Sequence, residues 1–279
     1  TPLSKAGKTR LDMIENATRQ VAQCLKEEDM VIMRSTVKIG VTREIVKPIL
    51  DEKRKKYHLA FCPERTLEGK ALSELRSLPQ IVGGATYETT IRASQLFQFL
   101  TPTVVRVSGI ETAEMIKLID NAQRDVFFAY SNEVANACDA VGISAIEVIN
   151  AGKLGYPRTN LPIPGPVGGP CLEKDSHILA EGLKELGYEP RITIESRALN
   201  ERQPSVSSRY LKELTLSLKE FSQNPKILLL GLAFKGVPET DDLRGTMSKP
   251  IYECLKKEFE KGEFYGFDPV VKEKEIASL

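Results

Sequence analysis

The sequence predicts an α/β protein in which two layered domains are joined by one long helix. Three observations point there. Short apolar runs alternate with helical periodicity up to about residue 108, an unbroken amphipathic pattern follows from Glu111 to about Cys138, and a second strand-helix-strand series starts after residue 225.

Residues 11–27 carry helical spacing, "MVIMRSTV" (30–37) reads as a buried strand, 41–56 as a helix and "HLAFCPE" (58–64) as a second strand. "QIVGGAT" and "TVVRVS" bracket a helix near 87–100, which continues a βαβ pattern. The chain opens loop-like on "TPLSKAGKTRLD" and contains no G-x-G-x-x-G, the turn that begins a complete dinucleotide-binding domain. The first domain therefore reads as the remainder of a larger one.

In the long helix, Ile116, Ile119, Val126, Phe127, Tyr130 and Val134 recur at spacings near three and four. A helix of ~28 residues would run ~40 Å, long for one small domain and suited to a spine between domains or across a dimer. "LGYPRTNLPIPGPVGGP" (154–170) is too rich in proline and glycine for regular structure. Helical patterns resume at 175–187 and 193–219. "KILLLGLAF" (226–234), a helix near 248–262 and "EFYGFDP" (263–269) then make a second βαβ start, which also reads as incomplete at Leu279. The expected boundaries are 1–108, 109–205 and 206–279.

Composition narrows the function. With 39 basic and 38 acidic residues, overall charge recommends neither nucleic acid nor an anionic membrane as partner. The apolar run "ILLLGLAF" is far short of the ~20 residues that cross a bilayer, and no signal-peptide pattern opens the chain. The reading is a cytoplasmic protein. Five scattered cysteines without a CxxC pair disfavour a disulfide framework and a zinc site, and two histidines are too few for a histidine-rich metal centre. No metal is expected.

The chemistry concentrates in a few stretches. "GGPCLEKDSH" (168–177) sets Cys171 behind two glycines and ahead of Lys174 and Asp175, a polar and cationic setting of the kind reactive thiols use. His177 is either a base for that thiol or a solvent-facing residue at a helix start, the plainer reading. "STVKIG" places Ser35 and Thr36, and "CPERTLEG" places Glu64 and Glu68, at the ends of neighbouring strands, where open α/β sheets gather ligands. Lys117 and Asn121, four apart, share one helix face. A thiol, a lysine–asparagine pair, two glutamates and a threonine are the parts needed to make and hydrolyse a thioester.

In order, "STVKIGVT", "CPERTLEGKAL", "ETAEMIKLIDN", "GGPCLEKD", "LLGLAFKGVPETDDLR" and "GFDPVV" resemble the family of UDP-glucose and UDP-N-acetylmannosamine dehydrogenases over nearly the whole chain. The resemblance implies two Rossmann-like domains, both incomplete here, joined by a long dimer-forming helix. Residues 1–108 would be the remainder of the NAD-binding domain, 109–205 the helical dimerisation domain with the catalytic cysteine, and 206–279 the start of the UDP-sugar-binding domain. It implies NAD as cofactor and a UDP-sugar as substrate, oxidised at C6 from alcohol to carboxylate. Cys171 would capture the intermediate aldehyde as a thiohemiacetal and then carry a thioester. Lys117 and Asn121 would stabilise the C6 oxygen, Asp175 would assist proton transfer, and Glu64 with Thr36 would manage the hydrolytic water. Ser35, Thr36, Glu68, Lys174 and Arg244 match cofactor-contacting positions. Glu64, Arg65, Leu67, Glu68, Lys117, Asn121, Phe234 and Lys235 match substrate-binding positions, and Arg158 would reach a substrate across the dimer, its planar fork suited to diphosphate oxygens. Arg65 in "PER" resembles the branch acting on N-acetylated amino sugars and favours UDP-N-acetyl-D-mannosamine; "CLEKD" is familiar from the glucose branch. Two classes stay open, an enzyme and a truncated, non-catalytic dimer module. The joint presence of Cys171, Lys117, Asn121 and Glu64 favours the enzyme.

Overall fold

The computed structural model describes residues 2–4 and 7–278. The chain packs as two compact units, one of Thr1–Ala122 with Lys174–Pro190, the other of Gln123–Glu173 with Arg191–Leu279.

The first unit opens on α1 (Asp12–Cys24), whose Ile14, Thr18 and Ala22 form one buried stripe and whose Asp12 and Glu15 complement the positive end of the helix dipole. β1 (Asp29–Met33) is shorter than the expected 30–37 strand and only half-buried along its length, because it is the edge of the sheet. A π-helical turn (Thr42–Val46) leads into α2 (Lys47–Asp51). That helix stops short of the expected residue 56, since 52–56 are all charged and bring nothing to bury, and Arg54 turns the chain at φ +52°.

β2 (Tyr57–Phe61), β3 (Gln80–Gly84) and β4 (Val104–Arg106) complete a sheet of order β1-β2-β3-β4 among the described residues. β1 and β2 are parallel, as are β3 and β4, but β2 and β3 run antiparallel, pairing Ala60 with Gly84 and Phe61 with Gly83. The intervening α3 (Ala71–Ser77) buries no residue, so it does not act as the sheet-covering crossover that a parallel connection needs. α4 (Tyr87–Gln98) is capped by Thr86, whose hydroxyl accepts from Thr89 N at 3.1 Å, and does cover the sheet. The main core gathers Leu50, Leu59, Phe61 and Ile110, each side chain contributing ~1.5–3 kcal/mol through burial.

α5 (Ile110–Val141) spans 32 residues, ~48 Å, and gives residues to both units. In the second unit, α6 (Ala145–Lys153) starts on Ser144, which accepts from Glu147 N at 3.3 Å. Residues 154–171 carry neither helix nor strand, as their composition predicts. α7 (Leu172–Glu185) begins directly after Cys171 and from Lys174 belongs to the first unit; in the second, α8 (Arg191–Leu216) packs on α9 (Ser248–Glu258). β5 (Lys226–Leu230) and β6 (Glu263–Phe267) pair in parallel around α9, followed by α10 (Glu273–Ile276). No helix among the described residues is long and apolar enough to cross a membrane.

Candidate active site

In the first unit the candidate residues gather around the ends of β1 and β2. Arg34 follows β1 directly, forms an ion pair with Glu64, donates to Gln80 Oε1 at 3.2 Å and lies over the Phe97 ring at 5.1 Å. Glu64 Oε1 also accepts from Thr66 N at 2.9 Å. Burial pushes the Glu64 carboxyl up, but the Arg34 guanidinium and the Thr66 hydrogen bonds outweigh it and hold it below the usual carboxylate range. Glu64 is therefore ionised at neutral pH, as a base that activates water must be. Ser35 is exposed and Thr36 half-buried beside it, while Leu67 and Glu68 are exposed on the loop beyond Glu64.

Arg65 is half-buried and engaged. It donates to Pro79 O at 2.7 Å and Asp120 Oδ2 at 3.2 Å, fastening the Glu64 loop to α5 between Lys117 and Asn121. Lys117 is half-buried and Asn121 buried. Asn121 Nδ2 donates to Asp175 Oδ2 at 2.6 Å, and Lys174 Nζ to Asp175 Oδ1 at 2.6 Å, so both oxygens of a fully buried carboxylate are engaged. Around them Leu118, Ala122, Ile178 and Leu179 make a small core that registers α5 against α7. His177 is half-buried, in the second turn of α7.

One residue the motifs did not flag supports this end. Glu114, wholly buried on α5, accepts from Gly40 N at 2.6 Å and Thr42 N at 3.0 Å. Burial pushes its carboxyl above the usual range despite those hydrogen bonds. It ties down the segment that follows Thr36.

In the second unit Cys171 is exposed, at the end of a tightly held segment. A Cβ on Gly168 would stand 2.4 Å from Gly245 O, and one on Gly169, at φ +94°, 2.9 Å from the Phe234 ring. Only glycine permits this approach, and Gly169 N donates to Gly245 O at 2.7 Å. Cys171, Phe234 and the Arg244 loop thus belong to one cluster. The Lys235 ammonium lies 5.1 Å from the Phe234 ring centroid. Arg244 forks onto Asp242, at 2.9 Å from Nε and 2.6 Å from Nη2. Asp268 of "GFDP" holds the loop in front of Phe234, accepting from Leu232 N at 2.7 Å and Ala233 N at 3.0 Å. Arg158 is exposed and held by Tyr156, with Nε 3.0 Å from the phenol oxygen. Among the described residues no cluster of histidine, cysteine and carboxylates suits a metal.

Residues 1–101 match the NAD binding domain, and 111–202 the central domain, of the UDP-glucose/GDP-mannose dehydrogenase family. A curated UDP-N-acetyl-D-mannosamine dehydrogenase of Yersinia pestis is 30% identical, over 98% of this chain and 67% of its own length. The chain belongs to the UDP-glucose/GDP-mannose dehydrogenase family. An NDP-N-acetyl-D-galactosaminuronic acid dehydrogenase of Ralstonia nicotianae is 31% identical, over 91% of this chain and 61% of its own length. The structure of the UDP-D-ManNAc dehydrogenase of Pyrococcus horikoshii superposes with a TM-score of 0.85 at 28% identity, over 98% of this chain and 64% of that one. The chain thus spans only about two thirds of the length of these family members.

The match to the family's NAD binding domain makes NAD the cofactor. The donor set suits part of it: the exposed Ser35 and half-buried Thr36 hydroxyls stand just beyond the carboxyl end of β1, the side on which α/β sheets take nucleotides. These residues, with Glu68, would hold it there. The glycine-rich pyrophosphate turn does not occur within residues 1–279.

Proposed function

We propose that this chain carries the catalytic residues of an NAD-dependent UDP-sugar 6-dehydrogenase, which oxidises UDP-N-acetyl-D-mannosamine at C6 to the uronate by way of a cysteine thioester. The observation that carries the reading is Cys171, an exposed thiol at the end of a segment whose anchors are buried. A nucleophile needs access and a fixed position together.

Ser35, Thr36 and Glu68 would hold NAD, which when bound would supply the hydride acceptor for two successive oxidations at C6. The Lys117 ammonium and the Asn121 amide stabilise the oxygen at C6 as charge develops on it. Cys171 sulfur bonds to the aldehyde carbon while a proton passes to its oxygen, giving the thiohemiacetal, and the second oxidation leaves the thioester. Glu64, ionised through Arg34, takes a proton from water, with Thr36 helping to hold it. The water oxygen bonds to the thioester carbon, the carbon–sulfur bond breaks, and acid and thiol are released. Asp175 relays a proton through water; its bonds to Asn121 and Lys174 fix its orientation.

The amino-sugar assignment is supported by the two similar relatives, a UDP-N-acetyl-D-mannosamine dehydrogenase and an NDP-N-acetyl-D-galactosaminuronic acid dehydrogenase. A homodimer along α5 is part of the same proposal. Phe127 and Tyr130 on that helix are 45% and 56% exposed, more apolar surface than a solvated helix face needs. The five unbonded cysteines accord with work in the reducing cytoplasm.

The test follows NADH absorbance from the full-length protein with UDP-N-acetylmannosamine, UDP-N-acetylgalactosamine and UDP-glucose side by side. The expected result is two NADH per sugar and a preference of roughly five- to hundred-fold for the first sugar over glucose, because a pocket built for an acetamido group is left unpaired by glucose. Equal rates would overturn the sugar assignment. No NADH from any of the three would overturn the enzymatic reading.

A further inference from the structure

Residues 165–172 have no hydrogen-bond ladder of their own, yet inaccessible side chains of α5 and α8 hold them. Asn132, 1% exposed, accepts from Gly165 N at 2.7 Å and donates to Gly165 O at 3.0 Å. Arg197, 4% exposed, spans the rest: Nη2 donates to Val167 O at 3.2 Å and Nη1 to Leu172 O at 3.0 Å, one carbonyl before the glycine pair and one directly after Cys171. The same Nη1 meets Asp125 Oδ1 at 3.1 Å. Asn200 closes the network, donating to Asp125 Oδ1 at 2.7 Å and accepting from Asn132 at 3.0 Å.

A buried ion pair is weak evidence for stability, because desolvation offsets most of the attraction. A planar guanidinium can, however, reach two carbonyls while staying paired with a carboxylate, which neither a lysine nor an apolar residue does. We propose that Arg197, locked by Asp125 and Asn200, is a positioning residue that fixes the 167–172 segment and so presents the Cys171 thiol to the aldehyde. The proposal rests on Cys171 being the nucleophile. Arg197 does not touch the substrate. If the clamp loosens, the first oxidation still converts the C6 alcohol to the aldehyde, with one NAD⁺ reduced and one proton released. The sulfur–carbon bond then fails to form in time, and the aldehyde leaves without the second oxidation.

The experiment compares the full-length protein with Arg197→Lys by hydrogen exchange of the peptide covering 165–172 and by NADH formed per UDP-N-acetylmannosamine consumed, with phenylhydrazine present to trap aldehyde. Expected are exchange faster by about tenfold in that peptide with α4 unchanged, NADH per sugar falling from two toward one with trapped aldehyde, and a sugar KM within about threefold of the wild type. Unchanged exchange, or two NADH per sugar at the wild-type rate, would overturn the clamp. Should Arg197→Lys fail to fold, Asp125→Asn leaves the guanidinium in place, and exchange about threefold faster is expected from it; no change there also overturns the clamp. A wild type that reduces no NAD⁺ strikes the functional reading instead, while the exchange comparison still decides whether Arg197 fixes the segment.

Discussion

Cys62 and Cys171 each lie beside a proline at the end of a regular element, Cys62 after β2 and Cys171 before α7. Their surroundings differ. Cys62 is wholly buried with Ala60, Val82, Ala93 and Phe97, and that burial pushes its thiol up to about 12, Arg34 offsetting only part of it. Cys171 is exposed, on backbone held by glycine contacts and a buried guanidinium. The contrast teaches that access and placement, more than the residue type, separate a packing thiol from one that a reagent can reach.

The largest effect expected from breaking this contrast is on turnover. Cys171→Ser should lower uronate formation by ~10³-fold or more, since an ester to serine is a poor substitute for a thioester. Cys62→Ala should leave the rate within about threefold and lower stability by ~1 kcal/mol through a small cavity. Steady-state acid formation and urea unfolding check the two. The next effect is in alkylation. In the native protein at pH 8, iodoacetamide should modify Cys171 at least ~100-fold faster than Cys62, read site by site by mass spectrometry, because thiolate is the reacting form and Cys62 stays both protonated and inaccessible. A smaller effect comes from Gly169→Ala, which asks alanine to adopt φ +94° against the Phe234 ring. It should cost ~1–3 kcal/mol in urea unfolding and slow turnover, leaving the Cys62 environment unchanged.

Much of this was legible in the chain. Strands and helices show as short apolar runs and three-four spacings because those patterns are local, and helix geometry puts Lys117 and Asn121 on one face, though it alone does not make them more than a polar surface. The antiparallel β2–β3 pairing was not legible, since it depends on α3 leaving the sheet uncovered, a nonlocal fact. Nor was the clamp, whose Arg197 and Asp125 stand 72 residues apart. A signal for it did exist. Ala122, Asp125, Ala129 and Asn132 recur at three-four spacing and are all buried, so a carboxylate and an amide occupy the inward stripe of α5. Polar groups on such a stripe require partners. Arg65 shows another case, where the resemblance implied a substrate position and the contact with Asp120, 55 residues away, was not legible in the motif.

The proposed function has Cys171 carry the sugar as a thioester which Glu64 clears. It is tested most directly with Glu64→Gln in the full-length protein, mixed with NAD and UDP-N-acetylmannosamine at pH 7, quenched in acid within seconds and digested for mass spectrometry. The account predicts a sugar-derived acyl adduct on the peptide containing Cys171, cleaved by neutral hydroxylamine and absent from Cys171→Ser. Two NADH formed per sugar by the wild type, with no adduct on Cys171 or with the adduct on another residue, would contradict it.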